Sequence, residues 1–464
     1  MKKLLAILLA MLMVCSLFVG CAKTEEPVET PDASNDATSD VDTPVDEDSP
    51  MAKYGFDKLD LICFNGGNVG MWDELVALFL EFYPGVEVVT DFSDDVANRV
   101  RARMMTETPP DFVNSSGEEW NMTDAARAGQ LMDLTEFYET GTNADGKPLT
   151  EVLPVDTLAS SYVDDILTTL PTGTTYLGWW YNVGMFEELG ITAPTTWDEL
   201  YAVSEVLLAN DIIPLMYQNP SYGYWGLSNQ IMAVFGGMDA FNKCYITLDE
   251  GAWTSEGALA AITAQEGLVQ ADILSEYSCG ADFSATQVDF VNGRVAMITN
   301  GTWFENEMAG SLPEGFDMAF IPVPAATEGG NRAVVSITSG GGQIPANCAN
   351  PEAAKAFIGV MLSDAGQAII AKYGSMPIST AMDPAVVAEI MTPANLSALE
   401  AAQEDDVLVL PFVEGYYGDM NTEVRSCNDD LCLGDVTAEE YCERMEATAE
   451  IVRNDPETVL YTVR

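Results

Sequence analysis

Trp303 is the last residue but one of a run, Ala296–Phe304 (AMITNGTWF), that reads as a buried strand over Ala296–Thr299, an Asn-Gly turn and then an indole at the strand's mouth. An indole there, with small polar neighbours, buries a large rigid face at little rotamer cost, and such a face suits the apolar C–H side of a sugar ring. The competing reading makes Trp303 a core plug at a strand–helix junction. A second aromatic group lies upstream. Tyr217–Trp225 carries four rings (Tyr217, Tyr222, Tyr224 and Trp225) in nine residues, with Gln218, Asn219 and Ser221 between them. No apolar period runs through the stretch, and rings mixed with amides favour a binding loop over packed core. Rings cover C–H faces while amides pair hydroxyls. A buried hydroxyl or amide left unpaired costs about 1–3 kcal/mol, so pairing decides which hydroxylated ligand is accepted.

Other chemistries are excluded or unsupported. The chain has no histidine, which removes His-dependent triads, imidazole metal ligation and histidine pH sensing. Gly340-Gly341-Gly342 lacks the Lys-Ser/Thr of a nucleotide loop. Seven cysteines follow Cys21, an odd number. Some, such as Cys63 inside Leu61–Phe64, read as small core residues. A bridge between Cys427 and Cys432 stays open, but C-x4-C with an isolated third cysteine is a weak zinc signal. No metal or cofactor is expected. Paired carboxylates of a glycoside hydrolase find no support in composition, because 73 acids supply such a pair by chance.

The elements that must position these residues alternate. Leu59–Phe64 reads as a strand, followed by the turn Asn65-Gly66-Gly67-Asn68. Trp72, Leu75, Val76, Phe79, Leu80 and Tyr83 then recur at helical spacing until Pro84-Gly85. Val86–Val89 is the next strand and Val96–Met105 the next helix. Asp111-Phe112-Val113 then leads to the turn Asn114–Gly117. Alternation of this kind predicts a largely parallel sheet with helices on both faces. Ligands bind outside the carboxyl ends of such strands, which places Asn65–Asn68 and Asn114–Glu118 beside one cleft. Further on come the strand Leu177–Tyr181, a helix capped by Thr196, the strand Ile212–Met216, and strands at Phe316–Ile321 and Ala333–Ile337. Trp179 and Trp180 alternate across a strand, so one should face the core, while Trp72 and Trp197 sit in amphipathic frames and read as structural.

The N-terminus reads as a targeting segment: basic Met1-Lys2-Lys3, apolar Leu4–Val14, then Phe18-Val19-Gly20-Cys21. That tetrapeptide resembles the lipobox of bacterial lipoproteins, which implies a lipidated Cys21. The alternative is an uncleaved membrane anchor. Ala22–Pro50 holds ten acids, one base and no aromatic residue. This composition predicts a disordered tether. Without Lys2 and Lys3 the chain has 17 bases against 73 acids, a formal charge of −56. Such a field repels nucleic acid and anionic lipid.

Five stretches, taken in order, resemble the extracellular solute-binding proteins of ABC-type sugar importers, the maltose-binding type. They are Phe82–Val89 (FYPGVEVV), Pro109–Ser116 (PPDFVNSS), Tyr181–Gly190 (YNVGMFEELG) running into Pro194–Leu200 (PTTWDEL), Gly293–Trp303 (GRVAMITNGTW), and Asn350–Ser363 (NPEAAKAFIGVMLS) with Gly366-Gln367. The resemblance implies an α/β, two-lobed periplasmic-binding-protein-like fold of type II, with mostly parallel sheets flanked by helices and a three-segment hinge. The crossings would fall near Leu170–Gly178, Val334–Ser339 and Gly374–Ser379. The expected organisation is a signal peptide at 1–20 and an acidic tether at 21–56. An N-terminal lobe at 57–170 plus 338–376 and a C-terminal lobe at 171–337 plus 377–464 complete it. The implied ligand residues are Asn65, Ser116, Glu118, Tyr222, Trp225, Trp303 and Tyr417. Where the maltose type carries an acid, around Thr175, this chain has none. The implied role is a lipid-anchored monomeric receptor on the outer face of the cell membrane. It would bind a mono- or oligosaccharide and pass it to the transmembrane subunits of an ABC permease. A cationic ligand such as a polyamine in the same fold is the alternative the acidic charge suggests.

Overall fold

Strand β1 (Lys58–Phe64) is the centre of the first sheet, with β2 (Glu87–Ser93) and β3 (Phe112–Asn114) parallel on either side. In the computed structural model the described residues are 47–67, 69–115, 120–218, 220–279, 283–339, 341–378, 384–414 and 416–463. Leu59, Leu61 and Cys63 alternate along β1 onto one face, where the helix Met71–Phe82 packs Trp72, Leu75 and Phe79 against them. Ile62 faces the other way, toward Val96 and Val100 of the helix Val96–Met104 and Val113 of β3. The 3–4 spacing of the first helix and the alternation of the strand thus settle the layers. The same apolar cluster takes Ile344, Phe357 and Ile370 from far downstream, Phe357 meeting Phe79 edge-on at 5.7 Å.

The stretch 50–56, expected within the tether, is structured. Pro50–Tyr54 is helical, capped by the Ser49 side chain, and Phe56 is buried in the first cluster. An apolar pair, Tyr54 and Phe56, packs on Tyr83, which is what a purely acidic tether lacks.

After a short hairpin of β4 (Tyr162–Val163) and β5 (Ile166–Leu167), the chain enters β6 (Gly173–Asn182). Five further strands and the two-residue β11 (Met376–Pro377) join it. They are β7 (Ile213–Met216), β8 (Val295–Gly301), β9 (Met318–Ile321), β10 (Arg332–Ser339) and β12 (Val407–Pro411). The order is β12-β10-β6-β8-β7, with β9 and β11 also on β6. Parallel pairing holds throughout the first sheet but not here. β6 runs antiparallel to β8, β9, β10 and β11, while β10–β12 and β7–β8 are parallel.

The three crossing segments meet in one place. Gly173 of β6 lies opposite both Ser339 of β10 and Pro377 of β11. Gln367 Nε2 donates to the Thr172 carbonyl at 2.7 Å and the Met361 carbonyl at 3.0 Å, and its Oε1 accepts from the Ile378 amide at 3.1 Å. Asn114 Nδ2 donates to the Gly341 carbonyl at 2.7 Å, and a Cβ at Gly341 would sit 2.5 Å from the Leu170 carbonyl oxygen.

The large sheet is covered on both faces. Trp179 packs into one apolar cluster, its indole donating to the Gly226 carbonyl at 2.9 Å, and Trp180 packs into the other. Both tryptophans are therefore core, against the expectation that only one would be, because helices cover the sheet on both sides. Trp72 and Trp197 are buried, as their frames predict. Among the described residues no single helix is long and apolar enough to cross a membrane.

Candidate functional site

The carboxyl end of β8 sets the site. The strand is buried along its whole length, through Thr299, Asn300 and Gly301, and Trp303 follows as the residue before the helix Phe304–Met308. Gly301 leaves no room for a Cβ beneath the six-membered ring of Trp303. The indole lies down on the strand end instead of standing off it, and remains partly exposed.

The aromatic stretch expected as a loop is helical. Pro220–Gly223 forms a turn of helix, and wide π-type turns follow at Tyr224–Ser228, Met232–Gly236 and Asn242–Ile246. Such turns are uncommon and gather at functional sites. Gly226 lets this segment sit on β8, since a Cβ there would lie 2.7 Å from Thr299 Cβ. The close seating explains the lack of an amphipathic period: Tyr217, Tyr222 and Tyr224 are all buried. Tyr217 is core, its hydroxyl donating to Asp429 Oδ1 at 2.9 Å. Tyr222 and Trp225 are brought to Trp303. Tyr222 shares a hydrogen bond with Trp303, and its ring lies 4.7 Å from that of Trp225 at 41°. Trp225 in turn meets Phe412 edge-on at 5.6 Å.

The turn after β1 reaches the same place. Asn306 Nδ2 donates to the Gly67 carbonyl at 2.6 Å. A Cβ on Gly67 would lie 3.4 Å from Cβ, Cγ and Cδ1 of Trp303. Gly67 has φ +76°, a left-handed conformation that glycine alone adopts freely. Asn65, two residues earlier, anchors by its amide on the Ser93 carbonyl at 3.0 Å. Among the described residues its buried Oδ1 finds no partner, and neither does Nε1 of Trp225. Native interiors pair nearly all such atoms, so two orphans beside one aromatic group are groups a bound hydroxyl can satisfy. Asn300 Nδ2 and Gln218 Nε2, on the two segments that carry the rings, are buried and unpartnered too.

Electrostatics at the site are muted. Burial raises the Glu307 carboxyl above its ordinary value, opposed by a 2.7 Å hydrogen bond from Gln287, and burial first, with Glu307 second, pushes the Tyr222 hydroxyl up. Burial raises Glu305 likewise, and that carboxylate accepts from Thr392. Neither is a free anion offered to a cation. Among the described residues no cluster of three acids, cysteines or histidines could hold a metal.

Of the seven expected ligand residues, the structure brings Tyr222, Trp225 and Trp303 together, and Asn65 lies two residues before the Gly67 contact with Trp303. Ser116 and Glu118 lie outside the described residues, as does Cys21. Tyr417 is not part of the group. It is buried, its hydroxyl donates to the Ile246 carbonyl at 2.6 Å and accepts from the Tyr461 amide at 2.8 Å, and burial pushes that hydroxyl up to about 12. One side of the hydroxyl is taken by Ile246 and the other by Tyr461 of the C-terminal segment, so Tyr417 packs. Its neighbour Tyr416 stacks on Tyr461 at 4.1 Å. Sequence reasoning missed Gly67 as a contact of Trp303, and it missed Asn306, Glu307 and Phe412. Nothing local in the sequence marks a pairing between positions 67 and 306.

Comparison with known proteins agrees with this architecture. Residues 69–368 match the family model described as bacterial extracellular solute-binding protein. A diacetylchitobiose binding protein of Streptomyces coelicolor is 23% identical over 373 residues, covering 78% of this chain and 77% of its own. Among solved structures, a chitin oligosaccharide binding protein superposes with a TM-score of 0.67 at 21% identity, covering 82% of this chain and 94% of that one. An ABC substrate-binding protein from Listeria monocytogenes, solved in complex with cycloalternan, gives 0.67 at 18% identity, covering 85% and 98%.

Proposed function

The chain belongs to the bacterial extracellular solute-binding protein family, and from that premise we propose that it is a receptor that binds a carbohydrate between two lobes and delivers it to an ABC permease. The observation that carries this reading is the ring-and-amide group at the ends of β1 and β8. Trp303, Tyr222 and Trp225 supply faces, while Asn65 Oδ1 and Trp225 Nε1 supply polar atoms that the protein itself leaves unpaired. The names of the relatives support the ligand class: one binds diacetylchitobiose, one chitin oligosaccharide, and one was solved with cycloalternan. The lobes would be 57–170 with 338–376 and 171–337 with 377–464, extended at the start to take in the helix Pro50–Tyr54. Lipidation of Cys21 after a signal peptide at 1–20 would hold the receptor, as a monomer, on the outer face of the membrane. Ser116 and Glu118 would add polar contacts from the turn after β3. The site residues bind and do not catalyse.

Closure in such a receptor requires that ligand favour the closed arrangement over the open one. The contact of Gly67 with Trp303 and Asn306 joins the turn after β1 to the segment after β8. A sugar that stacks on the Gly67-facing side of Trp303 must lift that turn and take its place. A melting-temperature screen of chito-, malto- and xylo-oligosaccharides, raffinose and spermidine tests the reading, since binding stabilises by mass action. A rise with one carbohydrate class, and none with spermidine, is expected. A rise with spermidine alone, or release of reducing ends from any oligosaccharide, overturns it.

A further inference from the structure

Seven cysteines lie among the described residues, all as thiols, and two of them face each other across separate elements. Cys279 ends the short turn Glu276–Ser278, and Cys432 ends the helix Gly418–Cys432. Each thiol donates into the other's segment. Cys432 Sγ donates to the Ser275 carbonyl at 3.4 Å, and Cys279 Sγ to the Asp429 carbonyl at 3.5 Å. Each thiol shifts the ionisation of the other, and the Tyr217 hydroxyl lies 3.4 Å from Cys279 Sγ. The other candidate pairing, Cys427 with Cys432, fails on geometry. Five residues apart on one helix, their Cα atoms are about 8–9 Å apart and their side chains diverge. A disulfide needs Cα atoms within about 7 Å.

We infer that Cys279 and Cys432 are joined by a disulfide in the secreted protein, a covalent staple behind the binding site. The inference rests on the extracytoplasmic address of the family, where disulfides form and persist, and not on the identity of the ligand. The order of events follows from exposure: Cys279 is partly exposed and Cys432 is buried. The hydrogen bond from Cys432 favours the Cys279 thiolate, while Cys432 is pushed up by that same contact and by burial. The Cys279 thiolate attacks a small-molecule disulfide, of the oxidised-glutathione kind, and expels one thiolate. Cys432 then gives up its proton and attacks the Cys279 sulfur, expelling the second. Two S–H bonds are lost and one S–S bond forms, and the two electrons leave on the small disulfide as two thiols.

The staple's position gives it a purpose. The segment before Cys279 is bonded to β7, Ser275 N to the Leu215 carbonyl at 3.2 Å, and Ser278 Oγ accepts from the Tyr217 amide at 3.2 Å. Tyr217 in turn backs Gly223, where a Cβ would lie 3.4 Å from its ring. The bridge therefore holds the helix Gly418–Cys432 against the support of Tyr222 and Trp225.

The experiment is peptide mapping of the full chain, reduced and then exposed to oxidised glutathione, with free thiols alkylated before digestion. One linked pair, Cys279 with Cys432, is expected, with a melting temperature several degrees above the reduced protein. Cys279→Ser and Cys432→Ser should each abolish the linked pair and the gain in melting temperature. Alkylation of all seven cysteines after oxidation, or a linked peptide joining any other two, overturns the inference. The mapping reads wild-type protein and needs no variant to fold. It also needs no ligand, so its failure leaves the carbohydrate reading standing, and a failed ligand screen leaves the staple standing.

Discussion

Two polar regions of this molecule are built to opposite rules. At the crossing of the three segments, Gln367 joins two carbonyls and one amide, and Asn114 takes the carbonyl of Gly341. After β1 and in the turn Tyr224–Ser228, Asn65 and Trp225 each bury a polar atom that no other described residue meets. Buried amides of the first kind hold a fold together, because removing one strands its partners. Those of the second kind weaken the empty fold and leave hydrogen-bonding capacity for something else. The difference separates a hinge that must keep its shape from a surface that must wait for a guest.

The sharpest way to break the comparison is at the hinge. Gln367→Leu should lower unfolding free energy in urea by about 3 kcal/mol, since two buried carbonyls and one partly buried amide lose their partner. A loss under about 1 kcal/mol would mean that the crossing is held by packing instead. Next in size, Trp303→Ala should weaken carbohydrate binding at least tenfold, about 1.4 kcal/mol, by calorimetry on folded protein. Unchanged affinity would move the site elsewhere. Asn65→Ala should do the reverse of the hinge variant: about fivefold weaker binding, about 1 kcal/mol, with the urea midpoint unmoved or raised, because an orphan acceptor is removed. A clear fall in stability would place Asn65 with the structural amides. The smallest effect concerns Glu307, whose carboxyl burial raises above the ordinary 4.5. The unfolded chain ionises it first, so its penalty is absent below pH about 4.5 and grows as pH rises through the folded value. Glu307→Gln should thus raise the melting temperature at pH 7 and leave it unchanged at pH 4; an equal rise at both would show that ionisation is not the cause.

The sequence was legible where one periodicity governs one face. Helical spacing from Trp72 to Tyr83 and the apolar Leu59–Phe64 yield the helix Met71–Phe82 and β1 almost to the residue. The crossings come from the family resemblance and not from any local pattern. The aromatic stretch 217–225 misleads because its rings are buried on several sides at once, so no single-face period survives, and a segment of helix and wide turns reads as a loop. Tyr417 misleads for another reason. Its hydroxyl is taken by Ile246 and Tyr461, and neither partner is near it in sequence except through the fold. The pairing of Gly67 with Trp303 is likewise a product of closure, invisible to any window along the chain.

The seating of Trp303 under Gly67 also makes the protein its own optical probe. Of eight tryptophans, Trp72, Trp179, Trp180, Trp197 and Trp253 are buried in cores that ligand does not enter, which leaves Trp120, Trp225 and Trp303 partly open. Two of those three are the rings of the site. When a guest displaces the glycine turn, the medium around Trp303 changes from peptide backbone to hydroxylated ligand, while five indoles emit as before. If the proposed site holds the ligand, intrinsic fluorescence with no label attached should report its occupancy, and Trp303→Phe should identify how much of the signal is its own.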